Sequence, residues 1–403
     1  MNTSQFNGVA GSGFLNKLEI AKPTFVVDEA VCRRNIARMA GKAREAGMRF
    51  RPHFKTHQSA AIGEWFREEG VTAITVSSVT MARYFAGAGW KEITIAFPVN
   101  IREMEEINRL AAEVQLDLLV ENEIVMNHLV NQLKEPVGIW IEIDTGYHRT
   151  GVDAIKTRVI DQILEVMQRN DRMKFRGFLS HSGQTYSARS LEDIRIRHAH
   201  VLLQMRSLKN HYRPEWPTVE ISLGDTPACS VCDQWEGVDE IRPGNFLFYD
   251  LMQWQLGVCS AGDIAVRVVC PVISTQLMRN EAVIYGGAVH LSKELLIGPN
   301  GKNWYGGVVV PGKGSSRMPG RLEDKVKAED GCPSWRISPE TWVAALSQEH
   351  GIIRGAFEEI RAMQPGDLLE IIPVHSCLAA DLAGYYLTTS GQVIGKMGKT
   401  MNN

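Results

Sequence analysis

The sequence predicts an α/β protein: a (β/α)8 TIM-type barrel followed by a second, mainly antiparallel β domain. Up to about residue 250, eight short apolar runs are each separated by enough residues for a crossover helix. Several of these runs are apolar on both faces, as parallel strands covered by helices must be. Beyond residue 255, strand-like segments are separated by Gly, Pro and Asn turns, without regularly intervening helices.

The barrel pattern begins with a helix that Asp28 can cap and Gly47 can end, with apolar residues at helical spacing between them. Eight βα units in about 200 residues indicate a closed barrel rather than an open sheet. The eight predicted strands are 48–54, 73–77, 92–97, 116–120, 137–143, 175–180, 218–223 and 238–242.

The chain of 403 residues is long enough for two domains of unequal size. We expect a flexible leader over 1–23, the barrel over 24–254 and the β domain over 255–403. The early strand 24–28 has two placements, in the barrel or paired with the β domain. The segment 312–335 is predicted to be a surface loop.

Composition excludes several classes of partner. Lys and Arg number 44 against 46 Asp and Glu, a net charge of -2, and no basic block indicates nucleic acid or an anionic membrane. No apolar run approaches the roughly 20 residues of a membrane span, and the start lacks a secretory pattern. The seven cysteines are an odd, scattered set rather than a disulfide framework, so a reducing cytoplasm is expected. Cys229 and Cys232 form a lone CxxC, interpreted as structural.

Polar residues cluster after the predicted strands, where a barrel places its chemistry. Lys55 follows strand one between His53 and His57, Arg149 follows strand five, and Tyr186 follows strand six. A lysine at the end of a buried strand loses hydration, which lowers its pKa and makes the neutral amine available for a Schiff base. A salt bridge between loops is the alternative for Arg149. The roles of the two histidines, and of a third histidine in SHSGQTY, stay open.

Two loops have the composition of a phosphate site. SLGDTPACS and IRPGNFLFYD follow strands seven and eight, and both supply the Gly and small polar residues that let a backbone cradle an anion. Gly224 and Gly244 could instead simply terminate strands. The convergence of such loops and an activated lysine on one face favours the functional interpretation.

Seven segments together resemble the fold-type III pyridoxal-phosphate enzymes. The resemblance is to the D-serine dehydratase and D-threonine aldolase branch, whose barrel joins a β domain as in alanine racemase. It runs over nearly the whole chain, in consistent order and spacing. The segments are PTFVVDEAVCRRNIARMA, RPHFKTHQS, IDTGYHRTG, HSGQTY, LGDTP, RPGNFLFYD and PVHSC.

The resemblance implies pyridoxal 5'-phosphate as cofactor and assigns site residues. Lys55 would be the catalytic Schiff-base lysine, Arg149 would lie by the cofactor's phenolic oxygen, and Tyr186 would lie near its pyridine ring. The phosphate would be held by two loops, Gly224, Asp225 and Thr226 with Gly244 and Asn245. The first loop departs from the usual GST, because an Asp beside a phosphate would repel it unless the carboxylate turns away. Asp225 is therefore expected to contribute only its backbone N–H.

His375-Ser376-Cys377 is the candidate metal motif. On an extended strand, residues two apart face the same side, so the imidazole and the thiolate could bind one ion. Zinc accepts such mixed ligands, and two protein ligands leave positions open for substrate. A buried Cys beside a structural His is the alternative. The resemblance favours the metal, because this branch holds a divalent ion with a histidine and a second ligand two residues on. Zn²⁺ is expected, with Mn²⁺ or Mg²⁺ as alternatives.

The function that the resemblance implies is a lyase acting on β-hydroxy-D-amino acids. The first expectation is a D-serine or 3-hydroxy-D-aspartate dehydratase, which gives a 2-oxo acid and ammonia. One alternative is a D-threonine aldolase, which gives glycine and an aldehyde. A second is an amino-acid racemase, against which the HxC motif counts. A cofactor carrier of this fold is normally a lone barrel, so the β domain counts against that class. Relatives with this architecture usually build the active site from two chains, so a homodimer is expected.

Overall fold

The computed structural model describes residues 19–311 and 335–398. The chain forms two compact units, one of residues 34–246 and the other of the described residues before 34 and after 246. The sequence had predicted the domain boundary after residue 254. Residues 1–18 of the predicted leader and residues 312–334 of the predicted loop lie outside the described residues.

Short strands and longer helices alternate over the first 255 residues. The strands are β1 (Thr24–Val27), β2 (Arg49–Phe50), β3 (Ala73–Val76), β4 (Glu92–Pro98), β5 (Gln115–Val120), β6 (Val137–Asp144), β7 (Val152–Asp153), β8 (Met173–Ser180), β9 (Glu220–Leu223) and β10 (Glu240–Ile241). The helices are α1 (Glu29–Glu45), α2 (Ala60–Glu68), α3 (Val79–Gly87), α4 (Met104–Ala111), α5 (Glu123–Gln132), α6 (Thr157–Met167), α7 (Leu191–Tyr212), α8 (Thr226–Val231) and α9 (Leu251–Gln255).

Eight of these strands form the predicted parallel barrel. Their order is β2-β10-β9-β8-β6-β5-β4-β3, and an isolated parallel bridge between His53 and Thr75 joins the two ends of the sheet. Across that bridge the Phe54 N–H donates to the Thr75 carbonyl oxygen at 2.9 Å, and the Thr75 N–H donates to that of Pro52 at 3.0 Å. The barrel prediction is confirmed. The first strand is shorter than expected, because only Arg49–Phe50 forms a regular ladder.

Helix α1 follows its sequence signals. The Asp28 carboxylate accepts the Val31 N–H at 3.1 Å, and Gly47 takes the left-handed conformation, φ +67°, just after the helix. Its core face includes Ile36 and Ala43, both fully buried. Within the part of the chain that the structure describes, the longest helix is α7, and charged residues recur along its length. Among the described residues, no helix is long and apolar enough to cross a membrane.

The second unit is built mainly from antiparallel strands. They are β11 (Val266–Gln276), β12 (Glu281–Tyr285), β13 (Leu296–Ile297), β14 (Asn303–Trp304), β15 (Gly306–Pro311), β16 (Trp335–Leu346), β17 (His350–Arg354), β18 (Leu368–Pro373), β19 (Tyr386–Thr388) and β20 (Val393–Ile394). Three short helices accompany them, α10 (Ala288–Leu291), α11 (Phe357–Arg361) and α12 (Ser376–Leu382).

Six of these strands close into an antiparallel barrel. The order is β12-β17-β16-β15-β18-β11, and β11 pairs again with β12. Strand β1 extends this sheet, antiparallel to β11 and parallel to β19, which is one of the two placements that the sequence left open. Two of the strand-like segments predicted beyond residue 255, EAVIYGGAVHLS and DLLEIIPVHSC, end as strands earlier than expected. Residues 288–291 are helical, and the segment that leads to His375 leaves the sheet at Pro373.

Candidate active site

Lys55 lies in the turn that follows the first barrel strand. Its side chain is half-buried, whereas the neighbouring Phe54 and Thr56 are fully buried. The Lys55 N–H donates to His53 Nδ1 at 3.4 Å, and Gln58 Nε2 donates to the Lys55 carbonyl oxygen at 3.2 Å. This short hydrogen-bonded turn fixes the lysine at the carboxyl end of the strand, where the sequence placed it.

His53 is surrounded by positive charge. Burial, followed by Lys55, Arg242, His181 and Arg149, lowers the pKa of its imidazole well below the usual value. The ring is therefore neutral at physiological pH. The lysine and arginines among these neighbours, Lys55, Arg242 and Arg149, mark this end of the barrel as electropositive, the environment that an anionic phosphate requires.

His181 lies in the same electropositive region. Burial, followed by the charge of Lys55, lowers its pKa to about 3, although a bond to the Gly224 carbonyl oxygen opposes the shift. Its Nδ1 lies 2.7 Å from that oxygen. Because a carbonyl only accepts, the proton of the neutral ring is on Nδ1 and the lone pair is on Nε2. The structure thus brings His53 and His181 into the neighbourhood of Lys55.

The third histidine of the region has a structural environment. His57 is fully buried, stacks on Phe66 with ring centroids 5.6 Å apart, and meets Phe54 edge-on at 4.4 Å. Its Nδ1 accepts the Ser59 N–H at 3.1 Å. Burial lowers its pKa to about 3, so His57 belongs to the neutral core behind the lysine turn.

Arg242 is a charged residue that the sequence analysis did not single out. It is buried, its Nε donates to Ser222 Oγ at 2.7 Å, and its Nη2 donates to the Ser180 carbonyl oxygen at 2.8 Å. Ser222 in turn donates to Glu240 at 2.7 Å. Burial lowers the pKa of Arg242 to about 10, and Glu240 opposes that shift, so the guanidinium stays charged at neutral pH. The sequence feature that could have indicated Arg242 is its position at the start of RPGNFLFYD, one of the two phosphate-type loops.

The first phosphate-type loop leads directly into helix α8, and Asp225 is its N-cap. The Asp225 carboxylate accepts the Ala228 N–H at 2.7 Å and the Thr185 hydroxyl at 2.8 Å. Burial raises its pKa to about 6, against these hydrogen bonds. The carboxylate thus points into the helix cap. The sequence analysis had required that it turn away in this manner, because a carboxylate facing a phosphate would repel it.

The two phosphate-type loops are hydrogen-bonded to each other and to Tyr186. Thr226 Oγ1 accepts the Phe246 N–H at 3.1 Å, directly after Asn245, and Tyr186 Oη accepts the Thr226 N–H at 3.3 Å. The Tyr186 hydroxyl therefore lies against the first loop. Its predicted contact with the pyridine ring stays a prediction.

Gly224 and Gly244 are required by the close approach of neighbouring backbone. A Cβ on Gly224 would lie 2.8 Å from the Arg242 carbonyl oxygen, and one on Gly244 would lie 2.9 Å from that of His53. Any larger residue would push apart the ends of adjacent barrel strands. The sequence analysis left open that these two glycines only terminate strands. That interpretation does not account for the close backbone contacts.

Arg149 lies in an exposed loop that the Asp144 carboxylate organises. Asp144 Oδ1 accepts the N–H groups of Gly146, Tyr147 and His148 at 2.9 to 3.1 Å. The Arg149 guanidinium lies over the Tyr147 ring, 5.3 Å from its centroid. Its charge reaches His53 and His181, so the structure brings Arg149 to the same end of the barrel as Lys55.

The CxxC pair has the environment of structural cysteines. Cys229 and Cys232 are both buried, and burial raises the pKa of both thiols, that of Cys232 to about 12. Thiols of this kind are protonated and unreactive at neutral pH. This environment agrees with the structural interpretation.

In the second unit, His375 and Cys377 come together, although not in the way that the sequence predicted. The prediction that both lie on an extended strand is wrong, because strand β18 ends at Pro373 and helix α12 starts at Ser376. His375 is the residue before the helix and Cys377 lies in its first turn, where the two side chains hydrogen-bond. Burial lowers the pKa of His375, but Cys377 and then Asp250 oppose this, and the pKa rises to about 9.

The pair presents one nitrogen and one sulfur, a donor set that suits Zn²⁺. Within 19–311 and 335–398, no three His, Cys, Asp or Glu side chains are grouped to hold an ion. An ion held by this pair alone would keep further positions for water or substrate. Such an open coordination sphere is typical of catalytic rather than structural sites.

Asp250 contacts the His375–Cys377 segment and was not found from the sequence. It is fully buried, its Oδ1 accepts the Gln253 N–H at 3.0 Å, and its Oδ2 accepts the Ser376 N–H at 2.9 Å. His375 Nδ1 lies 3.6 Å from the same Oδ2. Asp250 ends the quoted segment RPGNFLFYD, but nothing in its local pattern connects it with a residue more than a hundred positions later.

A parallel barrel that carries a lysine and two anion-type loops, in a chain with a closed β barrel, defines the class of alanine racemase-like pyridoxal-phosphate enzymes. Residues 27–251 match the family model described as "Alanine racemase, N-terminal domain". Residues 265–389 match one described as "Putative serine dehydratase domain". The chain belongs to the first family and carries the second domain after it.

The relatives are lyases of this fold. A D-threo-3-hydroxyaspartate dehydratase from Delftia sp. (strain HT23) is 28% identical over 375 residues, covering 89% of this chain and 92% of the relative. A D-serine dehydratase from Dictyostelium discoideum is 28% identical over 298 residues, covering 68% and 74%. A 3-hydroxy-D-aspartate aldolase from Paracoccus denitrificans (strain Pd 1222) is 25% identical over 246 residues, covering 59% and 62%.

Solved structures give the same result. A D-threo-3-hydroxyaspartate dehydratase with a cysteine-to-alanine mutation, in the metal-free form, has a TM-score of 0.82 at 26% identity, covering 94% of this chain and 98% of that chain. A second structure of that enzyme carries a histidine-to-alanine mutation two positions before the same cysteine. The expected fold and enzyme class are confirmed: the chain is a lyase of the alanine racemase-like pyridoxal-phosphate fold.

Proposed function

We propose that the protein is a pyridoxal-phosphate- and divalent-metal-dependent dehydratase of β-hydroxy-D-amino acids. Its substrate would be D-serine or 3-hydroxy-D-aspartate, and its products a 2-oxo acid and ammonia. The observation that carries the proposal is the meeting of the His375 imidazole with the Cys377 thiol in a chain of this family. The dehydratase mutated at a cysteine, and described as metal-free, supports it, because a histidine two positions earlier was also a mutation target.

Lys55 is the proposed attachment point of the cofactor and the base of the reaction. When bound, pyridoxal phosphate supplies an electron sink for a carbanion at the substrate Cα. The lysine amine, once released by the substrate amine, can take the Cα proton as a neutral base.

The remaining barrel residues are proposed to hold the cofactor's polar groups. The loops at Gly224–Thr226 and at Gly244 and Asn245 would hold the phosphate, with Asp225 contributing only its backbone N–H. Arg149 would lie by the phenolic oxygen and Tyr186 near the ring. The inward turn of the Asp225 carboxylate and the positive charge around His53 support this arrangement.

His375 and Cys377 are proposed to hold Zn²⁺, with Mn²⁺ or Mg²⁺ as alternatives. When bound, the ion supplies a Lewis acid for the departure of a β-hydroxyl group as hydroxide. The thiolate favours zinc, whereas a carboxylate at the same position would favour harder ions. Loss of the hydroxyl leaves an enamine, which hydrolyses to the 2-oxo acid and ammonia.

The second candidate is an aldolase that cleaves the Cα–Cβ bond. The match to a 3-hydroxy-D-aspartate aldolase favours it, since a related site can carry out that cleavage. In the branch that this chain resembles, many aldolases have a carboxylate as the second ligand and the dehydratases have a cysteine. Cys377 therefore favours dehydration. An amino-acid racemase would need no metal, and the metal pair counts against it.

The test is a substrate panel with and without metal. Purified protein, loaded with pyridoxal phosphate, is assayed on the D and L forms of serine and threonine, on 3-hydroxy-D-aspartate and on D-alanine, with products identified. A 2-oxo acid should form only from D-configured β-hydroxy substrates, should be lost with a chelator and should return with Zn²⁺ or Mn²⁺. Full activity without metal, or racemisation of alanine, would contradict the proposal.

We further propose that the enzyme is a cytoplasmic homodimer. Its odd number of scattered cysteines supports the compartment, and the architecture of its relatives supports the dimer. Analytical ultracentrifugation of the cofactor-loaded protein should give twice the chain mass of 44.9 kDa. A monomer with full activity would contradict the dimer.

A further inference from the structure

We infer that Asp250 is a positioning residue that sets the geometry of the His375–Cys377 pair for its metal. This inference rests on the proposed function, since it concerns the same ion. Asp250 lies far from the pair in sequence but within the same compact unit. Its carboxylate is fully buried, so each contact of its oxygens is made with the protein and without screening by bulk water.

The contacts of Asp250 converge on the residue between the two candidate ligands. Oδ2 accepts the Ser376 N–H at 2.9 Å and the Ser376 hydroxyl at 3.3 Å. Ser376 is itself fully buried, so this segment is fixed from both backbone and side chain. Holding the middle residue fixes the direction in which the neighbours on either side project.

Asp250 also acts directly on the imidazole. His375 Nδ1 lies 3.6 Å from Oδ2, so the carboxylate favours a proton on that nitrogen and leaves Nε2 as the lone-pair donor for an ion. Carboxylates that orient metal-binding histidines in this way raise metal affinity without touching the metal. Met252 adds a backbone contact, since its N–H donates to the Val374 carbonyl oxygen at 3.2 Å.

The same contacts argue against Asp250 as a third ligand. Oδ1 is taken up by the Gln253 N–H at 3.0 Å, at the start of helix α9, and Oδ2 is shared by the two Ser376 groups. Turning either oxygen toward an ion would leave buried N–H groups without an acceptor, which is unfavourable because a buried donor without a partner loses its hydration uncompensated. Asp250 is therefore assigned to the support of the ligands.

Asp250→Asn is the informative variant. It keeps the size of the side chain and removes one acceptor, so that an NH₂ group faces either the Gln253 N–H or the Ser376 N–H. The NH₂ group of the new asparagine then faces a backbone N–H, and two donors cannot hydrogen-bond to each other. The Ser376 segment is therefore held less firmly. The matched control is Asp263→Asn. Asp263 also accepts a backbone N–H, that of Ser260 at 2.8 Å, in the same compact unit but at another turn.

The experiment measures metal binding rather than turnover. The Zn²⁺ affinity of the pyridoxal-phosphate-loaded protein is determined by competition with a chromophoric chelator, and the Co²⁺-substituted protein is examined for a thiolate-to-metal absorption band. Asp250→Asn should bind Zn²⁺ about 10- to 100-fold more weakly and show a displaced or weakened Co²⁺ band. Asp263→Asn should match the wild type on both measurements, and circular dichroism should show both variants folded.

The outcomes separate this inference from the proposed function. If the wild type binds no ion, or if His375→Ala and Cys377→Ala bind it unchanged, the metal site itself is wrong. If those two variants lose the ion while Asp250→Asn retains wild-type affinity and an unchanged Co²⁺ band, only the inference about Asp250 is overturned. Should Asp250→Asn not fold, Ser376→Ala decides: a loss of affinity of about two- to tenfold supports the inference, and an unchanged affinity overturns it.

Discussion

At the scale of single residues, burial and neighbouring charge decide which groups around Lys55 carry a proton. His53 and His181 are kept neutral by burial and by the cations beside them, whereas Arg242 stays charged because Glu240 and serine oxygens support it. This end of the barrel therefore combines fixed positive charge with neutral ring nitrogens. That combination suits an anionic cofactor attached to a lysine.

The first prediction concerns the attachment point. Borohydride reduction of the cofactor-loaded protein should fix the cofactor covalently on Lys55, because this lysine follows the first barrel strand, at the end of the barrel that carries the two phosphate-type loops. Peptide mass mapping locates the label. Lys55→Ala should carry none, whereas Lys174→Ala, which changes an exposed lysine, should be labelled like the wild type. A label on another lysine would contradict the assignment.

The second prediction concerns pH and His57. Its folded pKa is about 3, whereas an unfolded histidine titrates near 6.5. Between these values the unfolded chain binds a proton that the folded chain does not, so stability is complete above about pH 6.5 and falls as the pH drops toward 3. His57→Leu should make the free energy of unfolding fall less steeply between pH 7 and 5.

Urea unfolding at several pH values measures that slope, and the cofactor-free protein is used so that ligand binding does not contribute. His57→Leu also loses the bond to the Ser59 N–H, so its absolute stability drops at every pH. The slope is therefore the readout, and His200→Leu, at an exposed position, is the matched control. An identical slope in His57→Leu and the wild type would show that His57 is not buried as a neutral group.

At the scale of elements, the junctions between strands and helices carry most of the candidate functional residues. Lys55, the Gly224–Thr226 loop and His375 each lie where a strand has just ended. Their side chains are oriented by the turn that follows rather than by the strand. This is why hydrogen bonds from caps and turns, such as those of Asp225 and Asp250, recur beside these residues.

The third prediction concerns the cap of helix α8. Asp225→Ala removes the acceptor of the Ala228 N–H and of the Thr185 hydroxyl, and it should cost about 1–2 kcal/mol of stability. Asp225→Ser restores the GST pattern of relatives, can still cap the helix and should keep the affinity for pyridoxal phosphate. Chemical unfolding and cofactor titration check the two expectations. An Asp225→Ala protein as stable as the wild type would contradict this reading of the cap.

Periodicity could predict the regular elements but not these junctions. Alternating apolar runs and turn residues identified all eight barrel strands and helix α1, because burial imposes those patterns locally. The HxC motif was interpreted as extended since PVHSC continues an apolar strand, yet the chain turns into a helix after Val374. The decisive contact, between Asp250 and Ser376, joins residues far apart in sequence, and no local pattern records it.

Arg242 and Asp250 illustrate the same limit at buried positions. A charged residue inside an apolar segment predicts only that some partner exists, because a buried charge must be paired or hydrogen-bonded. Which partner it has depends on strand order, and here the partners are Ser222 on strand β9 and Ser376 at the start of helix α12. The resemblance proposed Lys55 for the cofactor and His375 with Cys377 for the metal, and the structure shows which side chains contact those segments.

At the scale of the whole molecule, the two compact units carry different parts of the proposed chemistry. The parallel barrel contains Lys55 and the phosphate-type loops, and the β unit contains the His375–Cys377 pair together with Asp250. Loss of the metal should therefore leave cofactor attachment intact while it abolishes turnover. Retention of the borohydride label in chelator-treated protein checks that independence, and a label lost with the metal would contradict it.

The measurement that tests the central claim most directly is the product balance with 3-hydroxy-D-aspartate. Relatives of this chain include both a dehydratase and an aldolase of 3-hydroxyaspartate, so the substrate alone does not distinguish the two reactions. Ammonia, 2-oxo acid and glycine are quantified from one reaction of the Zn²⁺- and pyridoxal-phosphate-loaded enzyme. Dehydration predicts ammonia and 2-oxo acid in equal amounts without glycine. Glycine and an aldehyde in equal amounts, without ammonia, would contradict the claim and identify an aldolase.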